Sequence, residues 1–338
     1  MSPANRVWRL IRRPVGDIAD GDLQLREEVL PTLADGQFLY ELLYLSLDPT
    51  NRIWMSDMDQ YMEPVALGEV MRGLVCGRVL ESRKPGIEPG DIVSGLGGWA
   101  DYQVSDGSTI TKFDGSNDLP LADAFGILTV VGPTAYFGLI DIGKPKAGET
   151  VVVSAAAGAV GSVVGQIAKI VGCRVVGLAG TDSKCAWITK ELSFNAAINY
   201  KSAELTAALR AACPNGIDVY FDNTGGPILD AVLGQVNLHA RVPTCGLISM
   251  YNAIGPVPGP TNYANILMKR VRVEGFIVLD YSARYPEATD ALKGWMKDGR
   301  LKHRLDVVDG LERAATTVRR LYTGENNGKL MIRVRSEK

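Results

Sequence analysis

The stretch Thr150-Val151-Val152-Val153-Ser154-Ala155-Ala156-Ala157-Gly158-Ala159-Val160-Gly161 decides the fold. Its opening run of β-branched residues reads as a short buried strand. The residues after it open a helix over 160–171 in which Val164, Ile167, Ala168 and Val171 share one face. In the dinucleotide fingerprint G-x-G-x-x-G the first glycine makes a tight turn, the second admits the pyrophosphate to the backbone, and the third lets helix and strand pack closely. Here Ala156 stands first, with Gly158 and Gly161 in the second and third places. The amides at the helix start then present the favourable end of the helix dipole to an anion. A glycine pattern alone is a weak signal, and the competing reading is a purely structural turn. The context decides: a strand before, a helix after, and another apolar strand at 173–178.

Downstream of that turn, strands and helices alternate. Residues 183–192 read as helix, 197–200 as strand, 203–212 as helix, 217–222 as strand, and 271–279 as the last strong strand signal. Alternation of this kind predicts a doubly wound parallel sheet, an α/β architecture. Pro243 is out of place inside the strand-like 241–245, because proline belongs at edges or bulges. Upstream, 37–47, 75–82 and 91–95 are strand-like runs separated by the turns Lys84-Pro85-Gly86 and Glu88-Pro89-Gly90, which predicts a β-barrel-like domain. A helix, a turn at 324–328 and a strand at 329–335 close the chain. The expected partition is 1–125 with 300–338 as one domain and 126–299 as the other.

The second strand of the alternating region speaks to the nucleotide. An acidic residue near its end would hold a ribose 2′-hydroxyl. Instead Leu178-Ala179-Gly180 is small and neutral, and Lys184 follows within reach, a combination suited to the 2′-phosphate of NADPH. Asp182 is the dissenting residue and reads as solvent-facing or helix-capping.

Composition excludes other classes. With 338 residues and a net charge of −2, the chain suits two domains and lacks the basic footprint of a nucleic-acid binder. Two histidines, His239 and His303, cannot build a histidine-rich metal site, and five cysteines without a C-x-x-C argue for buried reduced thiols. The charged N-terminus lacks the apolar core of a signal peptide, and no stretch reads as a membrane span, so a cytoplasmic protein is expected.

The chain resembles the medium-chain dehydrogenase/reductase superfamily, and within it the zinc-independent prostaglandin, curcumin and alkenal double-bond reductases. The resemblance rests on 44–49, 155–166, Phe221-Asp222-Asn223-Thr224-Gly225-Gly226, Gly275-Phe276-Ile277-Val278 and Gly324-Glu325-Asn326-Asn327-Gly328-Lys329. It implies a GroES-like catalytic domain built from both chain ends, a Rossmann domain between them, a homodimer, and NADPH-dependent reduction of a C=C bond conjugated to a carbonyl. By the same resemblance Gly158, Ala159, Val160 and Gly161 meet the pyrophosphate, and Lys184 and Tyr200 hold the 2′-phosphate ribose. Asn223, Cys245, Phe276, Val278 and Asn326 match positions lining the adenine, ribose or nicotinamide region; for the apolar ones, core packing is the competing reading. Zinc-dependent relatives carry Gly-His-Glu where this chain has Gly68-Glu69-Val70, and no four-cysteine lobe follows. Three strong ligands are needed for catalytic zinc, so no metal is expected.

Hydride addition to the β-carbon of an enone leaves an enolate that needs a hydrogen-bond donor at oxygen and a proton at the α-carbon. Tyr251 and Tyr61 are the candidate donors, with Tyr263 a third; some relatives place a tyrosine at the position of Met268. The loop 252–262, rich in proline and glycine and poor in charge, suits a lid over an apolar substrate. Arg52 and Arg72 are open between contact with an anionic group and a solvated or salt-bridged surface position. The expected substrate is a small hydrophobic enone or enal, with no nucleic-acid or membrane partner. A quinone reductase and a non-catalytic NADPH-binding sensor are the alternatives.

Overall fold

The computed structural model describes residues 4–30, 32–114 and 119–337. Met1, Ser2 and Pro3 of the N-terminal stretch lie outside them. The chain divides into two compact units, one formed by 1–129, 305–326 and 330–338, the other by 130–304 and 327–329.

In the first unit β1 (Asn5–Leu10) and β2 (Leu23–Glu28) form an antiparallel ribbon. A larger sheet contains β3 (Phe38–Ser46), β4 (Arg72–Ser82), β5 (Ile92–Gly98), β6 (Tyr102–Ser105) and β7 (Ile110–Lys112). β3 pairs antiparallel with β4 and β6, β4 with β5, and β5 with β7. The core of this unit is Phe38, Tyr40, Leu42, Leu45, Val75, Val93 and Trp99, all buried. Gly95 has a positive φ of +155°, and an added Cβ would overlap the Thr109 carbonyl. That backbone approach is what lets β7 close on β5.

In the second unit β8 (Thr150–Val153), β9 (Arg174–Ala179), β10 (Ala196–Asn199), β11 (Ile217–Phe221), β12 (Val236–Thr244) and β13 (Arg272–Gly275) make one parallel sheet, ordered β10-β9-β8-β11-β12-β13. Counted from β8, this is the 3-2-1-4-5-6 order of the Rossmann fold, and the order reverses between β8 and β11. Val151, Val152, Val153, Val175, Val176 and Val219 are wholly buried, as strands covered on both faces require.

Returning to the first unit, β14 (Leu305–Asp309) and β15 (Lys329–Arg333) extend its sheet, with β15 antiparallel to β3. β14 falls where the sequence reading had no strand.

Three expectations change. The strand signal over 271–279 shortens to β13, and Val278–Arg284 is 3-10 helix. β13 is an edge strand with a single neighbour, and Val273 on it is 43% exposed, so apolar composition overstated its length. Pro243 does lie within β12, an interior strand, one residue from its end; its carbonyl accepts the Asp222 N–H at 3.0 Å, and pairing with β13 runs on past it to Thr244 opposite Gly275. Finally, the helical run Leu121–Gly143 is long and apolar enough by length and composition to cross a membrane, against the reading that no stretch is; 72% of its apolar window is buried in the chain.

Candidate nucleotide site

The loops that follow β8, β9, β11 and β12 all leave from the carboxyl ends of the strands, around the point between β8 and β11 where the order reverses, the place where open α/β sheets bind ligands. After β8 the chain turns at Ala155, whose φ of +46° is left-handed. The positive φ therefore falls one residue before the first fingerprint position, which explains why Ala156 serves there. Its N–H donates to Leu178 O at 2.9 Å and it is wholly buried. A non-glycine residue in this region costs about 1 kcal/mol or more, and such strain clusters at binding turns. Gly158 is the N-cap of helix Ala159–Val171 and supplies no side-chain cap. The first-turn amides at Ala159, Val160 and Gly161 have no intrahelical acceptor by geometry. They form a cradle for an anion. A Cβ on Gly161 would lie 2.4 Å from Ala155 O, so the third glycine is required by packing. Gly328, with φ of +83°, forms a parallel bridge with Gly158 and brings 327–329 against this turn.

Past β9, Gly180 leads to Thr181, which caps helix Asp182–Lys190 by accepting from Lys184 N–H at 3.2 Å. Asp182 is therefore not the cap; its carboxylate accepts from Asn199 Nδ2 at 2.7 Å. A Cβ on Gly180 would sit 3.1 Å from Tyr200 Oη and 3.3 Å from Lys201 Cε. The small residue thus opens a space bordered by a phenol and a lysine. Burial raises the Tyr200 hydroxyl above its ordinary range, so it remains a neutral donor. Lys201 was missed at the sequence level, although its place directly after Tyr200 was the available signal.

Following β11, Asn223 is fixed twice by Ser154: its N–H donates to Ser154 Oγ at 2.9 Å and its Nδ2 to Ser154 O at 2.7 Å. The loop after β12 is tied to it through Ile248 N–H to Asn223 O at 3.4 Å and Ser249 Oγ to Thr224 O at 2.6 Å. Cys245 begins that loop, and burial pushes its thiol up to about 12, which leaves it an uncharged packing group at neutral pH. Tyr251 lies within it, accepting Leu247 N–H at 3.0 Å. Phe276 packs edge-on to Phe221 with ring centroids 6.3 Å apart, and Gly138 leaves it room: a Cβ there would be 2.4 Å from Phe276 Cζ. Val278 is buried. Asn326 and Tyr61 belong to the first unit. Tyr61 is 43% exposed and shares a hydrogen bond with Thr50 Oγ1.

Arg52 departs from both of its sequence readings. It is 4% exposed and its guanidinium donates to the carbonyls of Pro14 and Gly16 at 3.0–3.2 Å, so it braces the first unit from within. Arg72 donates to Glu63 O at 2.8 Å and lies over the Trp54 ring. Tyr263 and Met268 are 67% and 63% exposed.

Two domain families match the chain: an N-terminal domain of oxidoreductase over residues 6–113, and a zinc-binding dehydrogenase over 159–294. Among the described residues no three His, Cys, Asp or Glu side chains gather in a way that could hold a metal ion, and no step is assigned to one. The chain is 44% identical over 335 residues to an NADPH-dependent curcumin reductase of Escherichia coli K12, covering 98% of this chain and 97% of that one. It is 42% identical over 298 residues to a 2-alkenal reductase (NADP(+)-dependent) of Nicotiana tabacum, covering 87% and 86%. The crystal structure of CurA from Vibrio vulnificus in complex with NADPH superposes with a TM-score of 0.93 at 41% identity, covering 98% of this chain and 99% of that one. A Rossmann sheet in the 3-2-1-4-5-6 order, a glycine cradle at its switch point and similarity running nearly end to end make this chain a member of the medium-chain dehydrogenase/reductase superfamily, in the branch of the curcumin and alkenal reductases.

Proposed function

We propose that this chain is an NADPH-dependent reductase of the C=C bond in apolar α,β-unsaturated ketones and aldehydes. The observation that carries the reading is the pairing of the cradle at Gly158–Gly161 with the neutral end of β9, where Gly180 leaves space beside Tyr200 and Lys201. The amides of Ala159, Val160 and Gly161 would hold the pyrophosphate. Lys184 and Tyr200, with Lys201, would hold the 2′-phosphate ribose, and Asn223, Cys245, Phe276, Val278 and Asn326 the rest of the dinucleotide. When bound, the cofactor supplies a hydride to the β-carbon of the substrate.

The chain's own task is the charge left on the carbonyl oxygen, and a tyrosine hydroxyl suits it because the ring tolerates an apolar pocket while the O–H donates. Tyr251 is the first candidate: Leu247 N–H donates to its oxygen, which orients the phenol and makes its O–H a stronger donor. Tyr61, paired with Thr50, is the second. Steady-state NADPH oxidation with an aliphatic enone and with a benzoquinone, followed by product analysis, tests the reading. A saturated ketone is expected; turnover of quinone alone, or an allylic alcohol as product, would overturn it.

The chain is further proposed to be a homodimer. β13 is an edge strand with Val273 43% exposed, and Leu267 (73% exposed) and Met268 (63%) lie in the short helix just before it, exposed apolar side chains that a second copy would cover. Light scattering of the wild type and of Leu267→Glu checks this; a monomeric wild type would refute it.

A further inference from the structure

Asp222 is the first residue past β11 and is wholly buried. Its Oδ1 accepts from Tyr220 Oη at 2.8 Å, Thr224 N–H at 2.9 Å and Gly225 N–H at 2.8 Å, and at longer range from Thr224 Oγ1 at 3.4 Å. Its backbone carbonyl accepts the N–H groups of Cys245 at 2.8 Å and Gly246 at 3.2 Å, and its own N–H donates to Pro243 O at 3.0 Å. Ser154 Oγ, at the end of β8, lies 3.5 Å from the same Oδ1 and accepts the Asn223 N–H. One residue is thus bonded to the ends of three strands whose loops carry the candidate nucleotide ligands.

We propose that Asp222 is a positioning residue for NADPH binding: it shapes the 223–226 turn, acts through Ser154 on Asn223, and locks the 245–251 loop beside them. It touches no ligand in this scheme. The turn needs such an acceptor because the successive N–H groups of Thr224 and Gly225 both converge on this oxygen, just ahead of the positive φ values of +65° at Gly225 and +56° at Gly226. Asp222 Oδ2 is buried with no hydrogen-bond partner among the described residues, so only one oxygen does the holding. Burial raises this carboxyl above the usual range, against the opposing bonds from Gly225, Thr224 and Tyr220; asparagine keeps one acceptor oxygen in the same place without the charge. Hydrogen-bond acceptance by Oδ1 is the property the proposal assigns to it.

The proposal rests on the NADPH reading above, and the experiment separates the two. NADPH affinity is measured by fluorescence on wild type, Asp222→Asn, Asp222→Ala and Ser154→Ala, with melting curves and KM for NADPH and for enone taken separately. Asp222→Asn is expected within about threefold of wild type, and Asp222→Ala to bind roughly tenfold or more weakly, with KM for NADPH rising and kcat at saturating NADPH nearly kept. Ser154→Ala is expected to lose about three- to tenfold in affinity and to stay folded, with its melting midpoint lowered by only several degrees. A folded Asp222→Ala with wild-type affinity overturns the proposal. So does an Asp222→Asn as weak as the alanine variant, which would make charge the operative property. If Asp222→Ala does not fold, an unchanged affinity in Ser154→Ala overturns it. A wild type that does not bind NADPH overturns the functional reading and this one with it.

Discussion

Replacing Gly161 by alanine tests whether the β8-to-helix turn is built around a missing side chain. The new methyl would stand 2.4 Å from Ala155 O, 2.9 Å from Ala155 C and 3.0 Å from Ala156 Cα. The closest approach is roughly 1 Å inside van der Waals contact. All three neighbours are backbone, so no side-chain rotation relieves the clash. Nor can the turn shift freely: Ala156 N–H is bonded to Leu178 O at 2.9 Å and Gly158 N–H to Ala155 O at 2.8 Å. Overpacking of this kind costs about 1–3 kcal/mol, and the melting temperature of the unit should fall by roughly 2–12 °C. Gly158→Ala is the control. Its φ of −82° suits any residue, and its Cβ would meet only Ala155 O, at 3.1 Å. Its stability should move by less than about 1 kcal/mol, while NADPH affinity falls about tenfold as the methyl takes up room the pyrophosphate needs. Differential scanning fluorimetry and fluorescence titration read both. A Gly161→Ala protein that melts like wild type would refute the packing argument, and undiminished NADPH binding by Gly158→Ala would refute the role of the second glycine.

Other consequences follow from the same geometry. Lys184→Ala and Lys201→Ala should each raise KM for NADPH about tenfold or more and leave KM for NADH nearly unchanged; equal effects on both cofactors would remove the 2′-phosphate assignment. Tyr251→Phe should lower kcat by about ten- to a hundredfold with NADPH affinity retained, and Tyr61→Phe by less; wild-type turnover in the double variant would exclude both hydroxyls. In the first unit the hydrogen bond from Arg9 holds the Glu28 carboxyl below its ordinary range. A depressed carboxyl contributes stability that is present above its unfolded value, about 4.3, and lost as pH falls through the folded one. Wild type should therefore melt above Glu28→Gln at pH 7, by a modest margin because the pair is partly exposed, and the gap should shrink as the pH is taken below the unfolded value; a gap that does not shrink in acid would contradict the linkage.

The Rossmann unit was legible because its signals are local. Thr150–Val153 is a buried strand by composition, Gly158 and Gly161 mark the turn by spacing, and the helix Ala159–Val171 shows its face in its periodicity. The neutral end of β9 was readable for the same reason: one residue, Gly180, decides what can approach. Other features depend on partners distant in sequence. Lys201 acquires a role only because β10 lies beside β9, which brings the residues just after β10 next to Gly180. Arg52 reads from sequence as either an anion contact or a surface cation until the carbonyls of Pro14 and Gly16 are folded over it. The left-handed turn at Ala155, one place from where the fingerprint puts it, is a backbone choice that alanine does not announce. Asp222 is one acidic residue among many in the sequence, and only the parallel pairing of β8, β11 and β12 delivers three loops to it. Periodicity and spacing are written along the chain; the partners of a buried polar group are set by strand order, and that order is settled by long-range packing.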